Sequence, residues 1–141
     1  MNYLPDINVW LALTFSAHLH HSAALNWFDT APIGSCAFCR MTQQGFLRLT
    51  SNPAVFKSDA LSLPQAWHAY DTLLGDERVI FRPESDKVEL EWRALTNDER
   101  FSAKIWSDAF LAAFARTTEL QLVTFDKDFK RFPALKLLTL S

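Results

Sequence analysis

The sequence predicts an α/β fold of three layers, in which a central parallel sheet lies between helices (α/β/α). Short apolar runs with strand-like composition alternate along the chain with longer segments whose apolar residues have helical spacing. This alternation is typical of a parallel sheet with helices on both faces. The length of 141 residues suits one domain, and no Pro/Gly/Ser-rich linker divides the chain. We therefore predict a single domain over residues 1–141.

The predicted strands are short, largely apolar runs. The first ends at Pro5, and the fourth, QLVTF, ends at Asp126. The third, RVIFR, contains the β-branched and aromatic residues that strands favour. In chain order, the five predicted strands cover residues 2–4, 33–38, 78–82, 121–125 and 136–140.

The predicted helices have apolar residues at intervals of three and four. In the fourth helix Trp67, Tyr70 and Leu74 share one face, Pro64 suits the first turn, and Gly75 suits the end. The last helix is long and unusually apolar. In chain order, the six predicted helices cover residues 8–15, 21–30, 39–50, 63–74, 85–95 and 102–120.

Composition and charge exclude several classes of protein. Hydrophobic residues make up 49% of the chain and charged residues 21%, which excludes a disordered chain. The net charge of -2 argues against a protein that binds nucleic acid mainly through its overall charge. No apolar run approaches the roughly 18 residues of a membrane span, and no signal peptide is visible. Two cysteines cannot form a disulfide framework. We expect a cytoplasmic protein without membrane contact.

Two aspartates follow strands whose ends are expected at one edge of the sheet. Asp6 comes after the first strand and Asp126 after the fourth. Ligands of open parallel sheets bind outside the carboxyl ends of the strands, so these carboxylates converge if the two strands are neighbours. Each aspartate on its own is equally consistent with a helix N-cap.

Asp108 lies on the last helix among apolar residues such as Ile105 and Leu111. A buried carboxylate needs a partner, because burying it unpaired costs several kcal/mol. A core salt bridge to an arginine and a metal ion shared with the other acids both remain open. Carboxylate and water oxygens suit Mg²⁺ or Mn²⁺. Three separated aspartates around such an ion suggest metal-assisted cleavage of a phosphodiester by an activated water.

Four motifs follow one another between Leu4 and Phe129: LPDINVWLAL, CRMTQQGFLRLTSNPAV, KIWSDAFLAAFA and LVTFDKDF. Together they resemble the PIN-domain family, and within it the VapC-type toxins. The resemblance implies an endoribonuclease that depends on Mg²⁺ or Mn²⁺, with Asp6, Asp108 and Asp126 as the metal-site aspartates. It also implies an RNA substrate, a cognate VapB-type antitoxin that keeps the enzyme inactive, and a homodimer.

The second motif departs from the family pattern T-E-x-x-F-x-R. Gln43 stands at the position of the usual glutamate, so the site has three formal negative charges instead of four. We expect weaker metal binding as a result, and we predict that Gln43→Glu tightens Mn²⁺ binding. The alternative to an active ribonuclease is a catalytically weak PIN-like module that binds RNA or a protein. A small phosphatase-like hydrolase is a third hypothesis.

Several other polar residues are candidates for supporting roles. Asn8 either orients Asp6 or caps the following helix. Thr124 either hydrogen-bonds a site carboxylate or serves only as a strand residue. Asp128 either supplies charge to the site or is a solvated acid at a helix start. Three arginines are candidates for binding RNA phosphates, although each is also consistent with a solvated surface residue. They are Arg40, Arg48 and Arg116.

Overall fold

The computed structural model describes residues 2–141 and contains one sheet of five parallel strands, in the order β3-β2-β1-β4-β5. This confirms the predicted parallel sheet; β2 begins three residues later than predicted, and the ends of the other strands differ from their predicted ranges by at most one residue. β1 is central and pairs with β4, with Pro5 opposite Val123. The strands are β1 (Tyr3–Pro5), β2 (Cys36–Phe38), β3 (Val79–Phe81), β4 (Gln121–Thr124) and β5 (Leu137–Thr139).

Seven α-helices accompany the sheet within residues 2–141, six of them predicted. The additional one is α4, a single turn that begins after Asn52 and has Pro53 at its first position. The last helix is shorter than predicted, because it ends at Thr117 and Glu119 then adopts a positive φ of 57°. The helices are α1 (Ile7–Thr14), α2 (His21–Phe28), α3 (Arg40–Thr50), α4 (Pro53–Phe56), α5 (Leu63–Leu74), α6 (Val88–Leu95) and α7 (Ile105–Thr117).

Each face of the sheet has its own apolar core. On one face Leu122 packs with Phe114 of α7. On the other face Trp10 of α1 stacks on Phe38 of β2, with ring centroids 4.0 Å apart, and Phe46 of α3 packs with them. Removing such large side chains from water contributes about 1.5–3 kcal/mol each. The two cores confirm the predicted three-layer α/β/α architecture. Over residues 2–141, no helix combines the length and apolarity required to cross a membrane.

Gly45 of α3 lies directly against the side chain of Ile7 in α1. A Cβ atom at this position would lie 2.9 Å from Cγ1 of Ile7 and still nearer to its Cδ1. Ile7 directly follows Asp6, so this contact fixes the start of α1. We expect Gly45→Ala to lower the free energy of unfolding by about 1–3 kcal/mol through overpacking, despite the higher helix propensity of alanine.

Urea denaturation measures this effect. The double variant Gly45→Ala with Ile7→Val should recover part of the lost stability, because valine lacks the Cδ1 atom that the new methyl group meets. An increase in stability for Gly45→Ala alone would contradict the packing argument.

Candidate active site

A cavity of about 310 Å³ lies at the carboxyl edge of the sheet and is lined by Asp6, Asp108 and Asp126. Asp6 directly follows β1, and Asp126 is the second residue after β4. Because β1 and β4 are neighbours, both aspartates reach the same edge. Asp108 joins them from the first turn of α7. The structure therefore brings the three predicted aspartates to one cavity.

Asp6 is both the N-cap of α1 and a member of this acidic group. Its Oδ1 accepts the backbone N–H of Ile7 at 2.7 Å, and its Oδ2 accepts the hydroxyl of Thr124 at 2.8 Å. Burial raises the pKa of Asp6 to about 6. The two hydrogen bonds oppose this rise, and the negative charges of Asp108 and Asp126 add to it. The capping role and the site role thus belong to the same side chain.

Thr124 connects the acids through its buried hydroxyl. The Oγ1 atom accepts Nδ2–H of Asn8 at 3.2 Å and the backbone N–H of Asp126 at 3.0 Å. A hydroxyl has two acceptor sites and one proton, so this proton is left to donate to Asp6. Asn8 also accepts the N–H of Phe125 at 3.4 Å. Asn8 therefore acts on Asp6 through Thr124, and the helix cap is supplied by Asp6.

Two basic residues that sequence analysis did not select hold the other aspartates. Nη2 of Arg131 lies 3.0 Å from Oδ2 of Asp108, and Nζ of Lys104 lies 2.9 Å from Oδ2 of Asp126. Burial raises the pKa of Asp108, although Lys104 and Arg131 oppose the rise. Burial also acts on Asp126, but the backbone N–H of Asp128 and the Lys104 ammonium outweigh it and hold the pKa of Asp126 below its usual value.

The donor atoms of the cavity are carboxylate oxygens, which suit a hard divalent cation such as Mg²⁺ or Mn²⁺. Asp6 is absent from the ion pairs found among residues 2–141. In the same part of the chain, no three His, Cys, Asp or Glu side chains lie close enough to form a ready set of metal ligands. The chemistry of the donors therefore fits a metal ion. Two of the three carboxylates, those of Asp108 and Asp126, are held instead by cations of the protein.

Gln43 does not line the cavity, which corrects the role expected for it. Its side chain is buried on another face of α3, where Oε1 accepts Nη1–H of Arg40 at 2.6 Å and the amide lies against Tyr70. The next residue, Gln44, faces the cavity together with Arg48. The amide that α3 contributes to the acidic group is therefore that of Gln44.

The remaining candidates are spread over the molecule. Of the three predicted arginines, Arg48 alone lines the cavity. Arg40 lies over the ring of Phe81, 4.9 Å from its centroid, and Arg116 pairs with Glu91 at 2.8 Å near the opposite end of α7. Asp128 is exposed, and its backbone N–H donates to Asp126 Oδ1 at the start of a short 3₁₀ helix (Lys127–Arg131).

Comparisons with known proteins show the family of the chain and relatives of its fold. The family model of the PIN domain matches residues 3–135, which include all three aspartates. The chain is 43% identical over 140 residues to Ribonuclease VapC41 of Mycobacterium tuberculosis, with 95% of each chain covered. Its fold is similar to that of a chain in the crystal structure of VapBC2 from Rickettsia felis bound to a promoter DNA fragment, with a TM-score of 0.74 at 17% identity and full coverage of both chains. A chain of a toxin-antitoxin complex from Klebsiella pneumoniae matches with a TM-score of 0.65 at 19% identity, over 98% of this chain and 97% of that one.

Proposed function

Because the chain belongs to the PIN-domain family, we propose that it is a VapC-type endoribonuclease that cleaves RNA with a divalent metal ion, Mg²⁺ or Mn²⁺. The observation that carries this proposal is the meeting of Asp6, Asp108 and Asp126 at one cavity at the carboxyl edge of the sheet. The 43% identical relative is named a ribonuclease, which supports RNA as the substrate class.

The residues of the cavity would have different roles in such a reaction. A bound divalent cation would supply an activated water and would stabilise charge on the attacked phosphate. The three aspartates would hold the cation, and Thr124 keeps Asp6 oriented toward the cavity by its hydrogen bond. Arg48 lines the cavity and is suited to bind a phosphate of the substrate through its planar guanidinium.

We further propose that a VapB-type antitoxin neutralises the enzyme, that the enzyme acts in the cytoplasm, and that residues 1–141 form one unit that assembles as a homodimer. The similarity to a chain of a toxin-antitoxin complex supports the antitoxin. The acidic cavity offers a basic segment of such a partner a charged surface to cover.

A catalytically weak binding module is the second candidate function. The observation that favours it is that α3 presents the uncharged Gln44 to the cavity, so three carboxylates line it. Fewer charged ligands lower the affinity for a hard cation.

Cleavage of end-labelled RNA separates the two functions. We expect cleavage with Mn²⁺ or Mg²⁺, none with EDTA, and none by Asp108→Asn, which keeps the size of the side chain but lacks its charge. RNA binding without cleavage at saturating metal would support the binding module. Cleavage that persists in Asp108→Asn would contradict the proposed site, and hydrolysis of a phosphomonoester instead of RNA would indicate the phosphatase-like hydrolase.

Gln44→Glu is expected to tighten Mn²⁺ binding by about fivefold to thirtyfold, because it adds a fourth carboxylate to the wall of the cavity. Isothermal titration calorimetry measures the dissociation constant. Gln43→Glu is the matched control, since it adds the same charge one residue away on the buried face of α3. It should leave Mn²⁺ affinity nearly unchanged and lower stability. Equal tightening by both variants would show that the charge acts without regard to its place.

A further inference from the structure

Two side chains of the protein already neutralise part of the acidic cavity. Lys104 donates to Asp126 across 2.9 Å, and Arg131 donates to Asp108 across 3.0 Å. Both pair with carboxylates that the proposed function assigns to a metal ion. A metal ion on the same carboxylate would repel the neighbouring ammonium or guanidinium and would weaken the attraction that holds it there. A metal ion therefore competes with the two side-chain cations for these carboxylates, and the more weakly held cation is the one expected to move.

Arg131 is packed more tightly against the protein than Lys104. The guanidinium of Arg131 lies over the ring of Phe132, 5.0 Å from its centroid, and its Nε atom is buried. Only 27% of the Arg131 side chain is exposed, against 64% for Lys104. Arg131 therefore has packing contacts that keep it beside Asp108, whereas Lys104 extends through solvent to Asp126.

The position of Lys104 at the start of a helix also destabilises its ammonium group beside Asp126. It immediately precedes α7, where the N-terminus of the helix carries partial positive charge. An ammonium at this end of a helix is repelled by the aligned backbone dipoles, while an anion would be attracted. The hydrogen bond to Asp126 offsets this repulsion in the metal-free protein. Of the two side-chain cations, Lys104 is therefore the one that leaves its carboxylate more easily.

We propose that Lys104 is a metal-gated phosphate ligand of this enzyme. It neutralises Asp126 in the metal-free protein and is released to bind a phosphate of the RNA when a divalent cation takes over that carboxylate. The inference rests on the proposed function, since it requires RNA and a divalent cation at this cavity. Lys104 lines the same cavity as Arg48, so the released ammonium stays beside the phosphate-binding surface. Arg131 remains a positioning residue for Asp108.

This role predicts two effects of opposite sign for Lys104→Gln. Mn²⁺ should bind about threefold to tenfold more tightly, because the competing ammonium is gone. RNA should bind the metal-loaded protein more weakly, because a phosphate ligand is gone. A lysine that only supported the structure would weaken both when replaced.

Calorimetry with Mn²⁺ alone gives the first measurement, on the wild-type protein, Lys104→Gln and the control Lys127→Gln. Lys127 is an exposed lysine next to Asp126 and forms no ion pair within residues 2–141. Its replacement removes the same charge from the same neighbourhood, but it removes no ligand of a cavity carboxylate. We expect clearly greater tightening in Lys104→Gln than in Lys127→Gln. Equal tightening in the two variants would overturn the proposal.

The second measurement is fluorescence anisotropy with a labelled, cleavage-resistant 2′-O-methyl oligoribonucleotide, at several salt concentrations with and without Mn²⁺. Each phosphate contact to a single strand contributes about 0.7 to the slope of log affinity against log salt. We expect Lys104→Gln to reduce this slope by about 0.7 in the presence of Mn²⁺ and by nearly zero in its absence.

The same reduction with and without Mn²⁺ would overturn metal gating, since Lys104 would then contact RNA in both states. These outcomes are separate from those that test the ribonuclease. Metal affinity that does not respond to Lys104→Gln would end the inference while leaving RNA cleavage untouched. A wild-type protein that binds no Mn²⁺ would overturn the inference together with the proposed metal dependence.

Discussion

Asp6→Asn is expected to reduce RNA cleavage by on the order of a hundredfold to a thousandfold or more, while the metal-free protein becomes more stable at neutral pH. The loss follows because the variant retains the size of the side chain but has no charge for a cation. The gain follows from the raised pKa of about 6, which shows that the folded protein disfavours the ionised form of Asp6. Asparagine resembles the neutral acid that the fold prefers.

The pH dependence of this gain has a definite sign. Below pH 3.8, the ordinary pKa of an aspartate side chain, Asp6 is protonated in both the folded and the unfolded chain, so its ionisation has no effect on stability. Between 3.8 and about 6 the unfolded chain ionises first, and the free energy of unfolding falls as pH rises. Above about pH 6 the loss is complete and amounts to on the order of 2–3 kcal/mol.

Denaturant unfolding in EDTA, from pH 4 to pH 8, measures the difference between Asp6→Asn and the wild type. Above about pH 6, we expect the free energy of unfolding of the variant to be larger than that of the wild type. Toward pH 4, the two free energies should converge. Titrations of groups that do not interact with Asp6 cancel in this difference, whereas those of Asp108 and Asp126, which are coupled to Asp6, contribute to it. A constant difference across the whole range would contradict the raised pKa, and undiminished RNA cleavage would contradict the role of Asp6.

Thr124→Val should be the most destabilising of the conservative changes at the site. Valine has the shape of threonine, but it leaves Asp6 Oδ2, Asn8 Nδ2 and the N–H of Asp126 without their common partner. Each unsatisfied buried group costs about 1–3 kcal/mol, so we expect a total loss of about 2–5 kcal/mol after partial rehydration at the cavity. RNA cleavage should fall about tenfold to a hundredfold, because Asp6 loses its orientation.

Thr124→Ser is the matched control, because it retains the hydroxyl and loses one methyl group. Its cleavage rate should stay near that of the wild type, and its stability should fall by about 1 kcal/mol. Comparison of the two variants by denaturation and by cleavage rate isolates the hydroxyl. If the valine and serine variants cleaved RNA equally well, the hydrogen bonds of Thr124 would have no part in positioning Asp6.

The sequence was sufficient to predict the parallel sheet and the convergence of Asp6, Asp108 and Asp126 at one cavity. Asp6 and Asp126 each end a strand, and the one condition for their convergence, that β1 and β4 are neighbours, holds in the structure. Asp108 stood out because its helix is otherwise apolar. Backbone periodicity and the cost of burying charge are local properties, and they can be assessed without a structure.

The other parts of the site depend on tertiary contacts or on helical phase. Successive residues of a helix differ by about 100° in direction, so a motif match at Gln43 does not reveal that Gln44 faces the cavity. Arg131 reaches Asp108 from a 3₁₀ helix that was not predicted, across 23 positions of sequence. Lys104 lies one turn before Asp108 within the predicted last helix, but no local pattern indicates its partner, because Asp126 follows the next strand.

The hydrogen bond between Thr124 and Asp6 joins residues 118 positions apart. During synthesis, one edge of β1 therefore remains unpaired until β4 has left the ribosome. The strand that pairs with its other edge, β2, emerges much earlier. The acidic cavity cannot assemble on a nascent chain that stops short of β4. We therefore expect chains that are released before β4 to be inert, because they lack both the strand that completes the pairing of β1 and the third aspartate, Asp126.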